Sequence, residues 1–594
     1  MAKGVKVIRR TYGWVQNPSN FDNLKRVVQI FDPSSEHYSK LLDALVPELI
    51  PFKDLKNRLM DKLRKGENKF SYVELVGTSK DLSGKSTKKR TDAVADGLIQ
   101  ISILPQSAET RGKKWTDNWT SDGYLRWALS FNFIQHDRET DICSITPKGL
   151  AFSRSTADVD KDTNLIEAML AYPPASRVLN ILNDSTTSLN KFEIGEQLGF
   201  KGEKGFTSYP SEQMEFWFKH ASREEQRKIR ADIEGTADKY ARMIAGWLEK
   251  LGFVEKEKVI VSTDTGEIAG FQKYSITAKG KHQYLRSLGS SKNKRIAKYV
   301  NWEFLAVDSR RSVEQSSRDY VRTRRAYILD FLCSTRSMKG LLNRLQAKGF
   351  KDSEKVIRND ISGLIGIGIR IEFSGERIIL KDKIVGLVIP PLQVTSTLRI
   401  SALDAEKNEL IEATDLPSKY YALLDIARDS HRNRDFEILT VDLFKTVYGF
   451  KGCWLGGARK PDGAIYVDSE ATQYGIILDT KAYSYGYSKN IIQEDEMVRY
   501  IEDNQLRDVK RNSNEWWKVF SPAITGDNTY FLWVSSEFIG QFKSQLKDTY
   551  QRTKTHGGAL SVDQLLIGAD RISKSNLNLS EISRQLSKEE VIVW

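Results

Sequence analysis

Two stretches constrain the fold more than any other part of the chain: residues 455–466, where a Gly-Gly turn leads into a predicted strand, and residues 474–481, a predicted apolar strand that follows a polar turn. Side chains alternate between the two faces of a strand, so Asp479 and Lys481 should point the same way. Asp462 stands at the start of the first strand, after a proline that cannot donate to a sheet ladder. The pattern therefore predicts that two carboxylates and one ammonium group meet at one place.

This trio suits the hydrolysis of a phosphodiester. Asp462 and Asp479 are candidate ligands of Mg²⁺, an ion that prefers hard oxygen ligands and keeps several waters as potential nucleophiles. Lys481 would orient or help deprotonate the attacking water and would offset the charge that grows on the phosphorane. The alternative interpretation is an ion pair on an edge strand, because Pro-Asp followed by Asp-x-Lys is a weak pattern by itself.

The distribution of charge indicates a polyanionic partner. The 594 residues include 91 Lys+Arg and 78 Asp+Glu, a net charge of +13. From residue 392 to the end there are 25 Lys+Arg against 29 Asp+Glu, a net charge of −4, so the first 391 residues carry +17. We expect the N-terminal two thirds to bind nucleic-acid phosphates and the C-terminal third to bind them poorly alone. A generic basic surface is the alternative.

Cysteines and histidines argue against other classes of site. The three cysteines lie far apart and the six histidines are scattered. A disulfide framework, a thiolate zinc site and the HNH and zinc-dependent nucleases are therefore disfavoured. The chain starts without the apolar run of a signal peptide, and no later segment approaches the length of a membrane span. We expect a cytosolic protein without a membrane partner, with about four domains by length.

A loose internal repeat predicts the architecture of the N-terminal part. Residues 122–149 and 238–280 each begin with a helix, continue through a strand, a turn and a strand, and reach Ser-Ile-Thr-x-Lys-Gly. That order is typical of a winged helix-turn-helix module, whose helix before the wing enters the major groove. A degenerate third copy at 320–380 has fewer basic residues in its third helix and would contact protein instead. Pro390 and Pro391 mark a linker.

Several polar residues of the N-terminal part are candidate base readers. In the major groove, Arg or Lys pairs with guanine, Asn or Gln with adenine, and Glu or Asp with cytosine. The N-terminal arm and the start of the second module's helix supply this inventory with Gln16, Asn17, Glu234, Lys239 and Arg242. Each of these alone is more often a surface polar group or a phosphate contact.

The chain resembles the FokI-type type IIS restriction endonucleases, whose cleavage domain is a PD-(D/E)xK nuclease. In the C-terminal third the resemblance is carried by Leu-Gly-Gly-x-Arg-Lys-Pro-Asp-Gly-Ala-Ile-Tyr at 455–466, by Asp-Thr-Lys-Ala-Tyr at 479–483 and by the acidic segment 494–500. In the N-terminal part it is carried by residues 13–18, 117–119, 121–127, 205–208, 238–243 and 320–325.

The resemblance implies a multidomain protein: winged-helix recognition subdomains, all-α to α+β, precede an α/β PD-(D/E)xK nuclease domain with a central mixed sheet. We expect recognition subdomains at 1–158, 159–290 and 291–389, the third mainly for protein contacts, a linker at 390–397 and the cleavage domain at 398–594. The resemblance also implies Mg²⁺-dependent cutting of double-stranded DNA at a fixed distance from the asymmetric site GGATG.

The same resemblance implies roles for further residues. Trp119 joins the recognition residues, and we expect the backbone carbonyl of Thr480 to help the two aspartates hold the metal. Ala231 and Asp232 stand where the family has two asparagines, so this sequence departs from the family at the middle base pairs of the site.

The acidic segment resembles the helix through which FokI-type cleavage domains dimerise, with Asp495 and Arg499 as charges that pair across the dimer. Their spacing equally permits an ion pair within one helix. One site cuts one strand, so a double-strand break predicts a transient homodimer on DNA, and a cognate methyltransferase is a further expected partner in the bacterial cytosol. The alternatives are a strand-specific nicking enzyme of the same architecture and a non-catalytic winged-helix transcriptional regulator.

Overall fold

A computed structural model of the chain describes Ile8, Arg10 and residues 13–87, 89–105, 112–307, 312–390 and 400–594. These residues form an N-terminal part of three subdomains, called the recognition part after its predicted role, and a C-terminal domain built on one sheet. The predicted linker lies outside the described residues, except for Pro390. Among the helices of the described ranges, none combines the length and apolar character needed to cross a membrane.

The first subdomain packs helices around a small sheet with the strand order β1-β3-β2. Its strands are β1 Lys69–Ser71, β2 Ile134–His136 and β3 Ile142–Ile145, and its helices are α1 Phe21–Gln29, α2 Glu36–Lys40, α3 Val46–Leu49, α4 Lys53–Arg64, α5 Tyr72–Val76, α6 Leu98–Ser102, α7 Asn118–Ser130 and α8 Pro147–Arg154. The helix before the wing, α7, begins earlier than predicted, because Asp117 caps it by accepting the N–H of Thr120 at 2.7 Å.

The second subdomain repeats this plan with the sheet order β4-β8-β5. Its helices are α9 Thr163–Ala171, α10 Pro173–Asp184, α11 Lys191–Gly195, α12 Ser211–His220, α13 Arg223–Asp232, α14 Thr236–Lys250 and α15 Ala278–Ser287, and its strands are β4 Leu189–Asn190, β5 Val254–Glu257, β6 Ile260–Thr263, β7 Gly266–Ala269 and β8 Lys273–Ile276. The hairpin β6–β7 inside the wing was not predicted.

The repeated Thr-x-Lys-Gly explains why the two modules share a sequence pattern. Thr146 caps α8 by accepting the N–H of Gly149 at 3.0 Å, and Thr277 caps α15 by accepting the N–H of Gly280 at 3.0 Å. A Cβ on Gly149 would lie 2.0 Å from the carbonyl oxygen of Phe133, and one on Gly280 would lie 1.9 Å from that of Phe253. Only glycine allows this close approach of helix and wing.

The third subdomain is close to its prediction. Its helices are α16 Ser312–Leu332, α17 Met338–Ala347 and α18 Glu354–Gly366, and its strands are β9 Lys298–Tyr299, β10 Ile371–Ser374, β11 Arg377–Leu380 and β12 Ile384–Val385. The predicted hairpin is β10 and β11, and β9 pairs with β12 in parallel.

Aromatic side chains fix the recognition subdomains to one another. Trp127 of α7 stacks on Trp247 of α14 with ring centroids 4.6 Å apart. Trp14 of the N-terminal arm contacts Phe206, Tyr240 and Phe304. The two helices that precede the wings are thus held in a fixed relation, and the arm is anchored between them.

The C-terminal domain has a five-stranded mixed sheet in the order β13-β14-β15-β16-β17, as predicted for its core. Its strands are β13 Lys451–Trp454, β14 Gly463–Ser469, β15 Thr472–Lys481, β16 Thr529–Ser535 and β17 Gly557–Ser561, and its helices are α19 Ala402–Ala413, α20 Ala422–Ile426, α21 Asn433–Thr446, α22 Ile491–Leu506, α23 Phe542–Thr553, α24 Val562–Ser573 and α25 Leu579–Leu586.

The C-terminal domain packs against the second and third subdomains. One apolar core runs through the contact, with Met214 and Phe218 of α12 on the recognition side. Arg318 of α16 pairs with Asp404 of α19 at 2.6 Å, and Lys419 pairs with Glu196 at 3.1 Å. The C-terminal domain is therefore packed against the recognition part and is not joined to it by the linker alone.

Candidate active site

The register of the sheet brings the predicted trio together. β15 is the central strand, antiparallel to β14 and parallel to β16. Gly463 lies opposite Leu478, so Asp462, one residue before Gly463, comes beside Asp479, one residue after Leu478. The start of β14 and the end of β15 thus share one corner of the sheet.

Asp479 and Lys481 point the same way, as the alternation of β15 predicts. Lys481 Nζ donates to Asp479 Oδ1 at 2.6 Å, and the two side chains are 14% and 3% exposed. Lys481 Nζ also lies 5.4 Å from the ring centroid of Trp533, on which Tyr487 stacks. The lysine is held between a carboxylate and an aromatic wall, so its position is fixed.

Asp462 is anchored by Thr480. Its Oδ2 accepts the backbone N–H of Thr480 at 2.7 Å and the hydroxyl of Thr480 at 2.9 Å. The alternation of β15 predicts that Thr480 points away from the trio, yet its hydroxyl reaches Asp462, which stands just outside the regular part of the sheet. Thr480 therefore has a side-chain role that alternation alone does not predict.

The charges of the site are strongly coupled. Burial raises the pKa of Asp462, and repulsion from the Glu437 and Asp479 carboxylates raises it further. Burial works against the charge of Lys481, but attraction to Asp479 and Asp462 outweighs burial and raises the pKa of this ammonium group. Carboxylates that repel one another at a buried corner are a site that a further positive charge would stabilise.

Sequence reasoning missed Glu437. This glutamate lies on α21, where its carboxylate accepts the indole N–H of Trp454 at 2.9 Å. Burial raises the pKa of Glu437, and the charge of Asp479 adds to the effect. The signal in the sequence was a single acid within the mostly apolar run from Phe436 to Val441, where packing of the helix does not need a charge.

The donor set fits a hard divalent cation. Asp462 and Asp479 offer carboxylate oxygens at one corner, and Thr480, with its backbone carbonyl, directly follows Asp479 in the chain. Within the described ranges, no three His, Cys, Asp or Glu side chains are grouped so as to hold a metal ion. Such an ion would therefore complete its shell with backbone carbonyls, waters or substrate oxygens, the usual habit of a small hard cation with few protein ligands.

Three of the predicted recognition residues share one cavity. Gln16 and Asn17 of the arm and Trp119 of α7 line a cavity of about 240 Å³, which α14 also lines through Thr236 and Tyr240. The Trp119 side chain is 47% exposed, an unusual state for tryptophan and typical of a residue that contacts a partner. The cavity is also lined by Arg432 of the C-terminal domain, so the N-terminal part and the C-terminal domain meet here.

The other predicted readers form a separate group on the second subdomain. Glu234 is buried and forms ion pairs with Arg242 at 2.7 Å and with Lys191 at 2.8 Å. Lys239 is half-buried, one helical turn before Arg242 on α14. In this state Glu234 therefore positions two cations, and Lys191 is a member of the group that sequence reasoning missed.

The predicted dimer charges do not pair with each other. Asp495 of α22 accepts from Arg552 of α23 at 2.7 Å, and Arg552 also lies 3.3 Å from Glu494. The guanidinium of Arg499 lies 5.5 Å from the ring centroid of Tyr500. Among the described residues no ion pair joins Asp495 to Arg499, so the intrahelical pair is not formed.

A mixed sheet whose central strand ends in Asp-Thr-Lys, beside a strand that follows Pro-Asp, defines the PD-(D/E)xK class of nucleases. Models of the FokI family match four parts of the chain: recognition subdomain 1 at residues 10–155, recognition subdomain 2 at 162–292, the D3 domain at 312–376 and the cleavage domain at 401–593. The chain belongs to the FokI family of type II restriction enzymes. Membership implies a divalent metal cofactor.

Relatives match over nearly the whole chain. The type II restriction enzyme FokI of Planomicrobium okeanokoites is 41% identical over 593 residues, which cover 98% of this chain and 99% of FokI. The type II restriction enzyme StsI of Streptococcus sanguinis is 29% identical over 95% of this chain and 92% of StsI. Solved structures of FokI, alone and bound to DNA, match with a TM-score of 0.90 and 40% identity; they cover 99% and 98% of this chain, and all of each solved chain.

Proposed function

We propose that this protein is a type IIS restriction endonuclease that binds an asymmetric site in duplex DNA and hydrolyses both strands at a fixed distance outside it. One observation supports this most directly: the chain holds an acid, acid and lysine site on one domain and a separate cavity lined by Gln16, Asn17 and Trp119 on another. Family resemblance suggests the recognition sequence GGATG. The identity of its middle base pairs is not fixed by this resemblance, because Ala231 and Asp232 replace the two asparagines of the family.

Each site residue takes a specific role in this proposal. Asp462, Asp479 and the backbone carbonyl of Thr480 would hold Mg²⁺, which when bound stabilises the charge that develops at the reacting phosphate. Lys481 remains an ammonium group beside Asp479, so it orients the attacking water and offsets charge rather than removing a proton. Thr480 keeps the Asp462 carboxylate turned toward the corner.

DNA reading would fall to the two groups described above. Gln16, Asn17 and Trp119 approach bases from the arm and from α7, and Lys239 and Arg242 approach them from α14, with Glu234 as the sixth recognition residue. Phosphate contacts of the basic N-terminal part, which carries +17, supply most of the affinity. The domain boundaries that we propose remain 1–158, 159–290, 291–389, 390–397 and 398–594.

The partners follow from the chemistry. One site cuts one strand, so a second copy would join through α22, with Asp495 and Arg499 at the contact, to give a transient homodimer on DNA. A host that carries such an enzyme needs a methyltransferase that protects the same sequence. Both proteins would act in the bacterial cytosol, where the DNA is.

Incubation of a plasmid carrying one GGATG site with the enzyme and Mg²⁺ tests the proposal. Linear product supports it, open circular product identifies a nicking enzyme, and an uncut plasmid bound in a gel shift identifies a regulator. Asp479→Ala should bind the plasmid with near-normal affinity and cut nothing, whereas Glu470→Gln, an exposed acid in the turn before β15, should cut normally.

A further inference from the structure

A cavity of about 180 Å³ lies between the second and third recognition subdomains, away from the residues used above. Its walls come from α10, α15, β9 and β10. Its polar lining consists of Ser176, Arg177, Asn180, Tyr284, Lys298, Arg370 and Glu372. Three of these seven side chains are cationic and one is acidic, which is an unusual excess of positive charge for a partly enclosed space inside a folded protein.

Lys298 differs from the other buried cations of the described chain in that it has no carboxylate partner. Six Lys and Arg side chains are buried in the described part of the chain: Lys191, Lys298, Arg322, Arg324, Arg325 and Lys407. Five of them have a carboxylate partner within 4 Å. Lys298 has none in the described ranges, and its Nζ donates only to neutral oxygens, the carbonyl of Leu170 at 2.7 Å and the hydroxyl of Ser176 at 2.5 Å.

The two arginines of the cavity are also poorly paired. Arg177 has no ion pair among the described residues and makes one long hydrogen bond, from Nε to the carbonyl of Gln197 at 3.4 Å. Arg370 reaches Glu372 only at 3.9 Å, and that glutamate is paired at 3.0 Å with Lys381. The cavity therefore holds three cations against one lining acid, and that acid is shared with Lys381.

The nearby acids are already engaged. Asp382 accepts the backbone N–H of Arg370 at 2.8 Å, and Asp184 accepts from the amides of Asn180 and Asn183. Burial lowers the pKa of Lys298 to about 8, with Asp382 opposing the shift and Arg370 adding to it. Lys298 therefore has no carboxylate within 4 Å among the described residues, and Asp382 acts on it only from a greater distance.

We propose that this cavity binds a small oxyanion of the phosphate or sulfate class. Such an ion offers several acceptors at once, and the planar forks of two arginines with one ammonium group match its geometry. The volume is sufficient, since a water occupies about 30 Å³ in the liquid. The bound oxyanion would offset the charge of Lys298 and connect α10 and α15 of the second subdomain to β9 and β10 of the third.

The chemistry of this site is a phosphate oxyanion, which can come from free phosphate in the cytosol or from the backbone of bound DNA. The part-enclosed cavity favours the free ion, because a diester also needs room for two flanking sugars. The site stands on the recognition part alone and does not depend on the proposed nuclease activity.

Thermal unfolding of the full chain in phosphate-free buffer tests the site. The Tm is measured as inorganic phosphate is added, and again as chloride is added to the same ionic strength. Wild type should show a saturable rise in Tm with phosphate, and Lys292→Met, which removes an exposed lysine of the same segment, should show the same rise. Lys298→Met should lose the response while its Tm without phosphate equals or exceeds that of wild type, since an unpaired buried cation has been removed.

A phosphate response of Lys298→Met equal to that of wild type would overturn the proposal, as would a wild-type response no larger than that to chloride. If Lys298→Met does not fold, Arg177→Gln and the ³¹P linewidth of phosphate with wild-type protein decide instead: saturable broadening that sulfate reverses supports the site, and its absence refutes it. Duplex DNA in metal-free buffer then separates the sources. If DNA abolishes the broadening of the free-phosphate signal, backbone phosphate has displaced the ion and the site binds DNA. If the broadening persists, the site binds the free ion.

Discussion

The indole N–H of Trp454 donates to the carboxylate of Glu437 at 2.9 Å, and the Trp454 ring also contacts the recognition part. There it meets Trp217 of α12 with ring centroids 4.5 Å apart and an interplanar angle of 77°. A residue of the reading subdomain thus contacts a residue that holds an acid of the candidate active site. The contact between the domains and the geometry of the site are therefore physically connected.

Glu437→Gln should lower the cleavage rate and raise the Mg²⁺ concentration needed for half the maximal rate. The carboxylate charge faces Asp462 and Asp479, and loss of such an outer acid typically costs about 10- to 100-fold in metal affinity or activity. Single-turnover cleavage at saturating DNA over a Mg²⁺ series measures both quantities. Trp454→Phe, which keeps the ring and removes the hydrogen bond, should fall between wild type and Glu437→Gln. An unchanged Mg²⁺ dependence in Glu437→Gln would remove this residue from the site.

Trp217→Ala should weaken the packing of the nuclease domain on the recognition part and increase cutting of DNA that lacks the recognition site. An edge-to-face aromatic pair contributes about 0.5–1.5 kcal/mol beyond its area, so the docking equilibrium should shift by roughly 2- to 10-fold. The measurement is the ratio of nonspecific to specific cleavage rates at one enzyme concentration. Phe216→Ala removes the exposed neighbour on the same helix and is the matched control. If both variants keep the wild-type ratio, the contact has no part in restraint.

Arg552→Gln should lower the enzyme concentration at which single-site DNA is cut at half the maximal rate. Asp495 is paired with Arg552 within one chain, so it must leave that partner before it can pair with a second copy. Exposed ion pairs contribute about 0.2–1 kcal/mol, which limits the shift to roughly fivefold. Arg499→Ala should move the midpoint the other way, and Lys547→Gln on the same exposed helix should leave it unchanged. First-order dependence on enzyme for the wild type would contradict the dimer.

The first subdomain should lose stability in mild acid because of His37. Burial lowers the pKa of His37 to about 4, and the charges of Arg26 and Lys40 contribute. The unfolded chain binds a proton near pH 6.5 and the folded chain does not. Stability is therefore fully present above pH 6.5 and falls as the pH drops toward 4, by about 3 kcal/mol in all.

Hydrogen exchange of the α2 and α6 segments between pH 7 and pH 5 measures this effect at the residues concerned. His37 Nε2 lies 2.9 Å from Ser102 Oγ, a contact that glutamine can replace without a titrating group. His37→Gln should flatten the pH dependence, whereas His282→Gln, at an exposed histidine, should retain it. Equal slopes for His37→Gln and wild type would show that another group is responsible.

Elements defined by local patterns could be predicted from sequence. Alternation along β15 correctly placed Asp479 and Lys481 on one face. The wing repeat was also recognised, and the caps and close glycine contacts at Gly149 and Gly280 give its physical reason. These features depend on residues near one another in the chain.

Features that depend on distant contacts could not be predicted. Glu437 gains its place from Trp454 and from the charges across the sheet, none of which a helical pattern contains. The pairing of Asp495 with Arg552 joins two helices whose packing only the folded sheet determines. The hairpin β6–β7 was missed because its short strands are mostly exposed and lack a clear apolar alternation.

The order of strands in the nuclease sheet determines when, during synthesis, the candidate active site is complete. β15 carries Asp479 and Lys481, but its neighbour β16 begins 48 residues after Lys481 and the outer strand β17 comes later still. A chain emerging from the ribosome has completed its three N-terminal subdomains before β16, which carries Trp533 beside Lys481, has been made. During synthesis the recognition part is therefore complete before the active site is. A product truncated before β16 would retain the recognition part but lack a complete nuclease sheet.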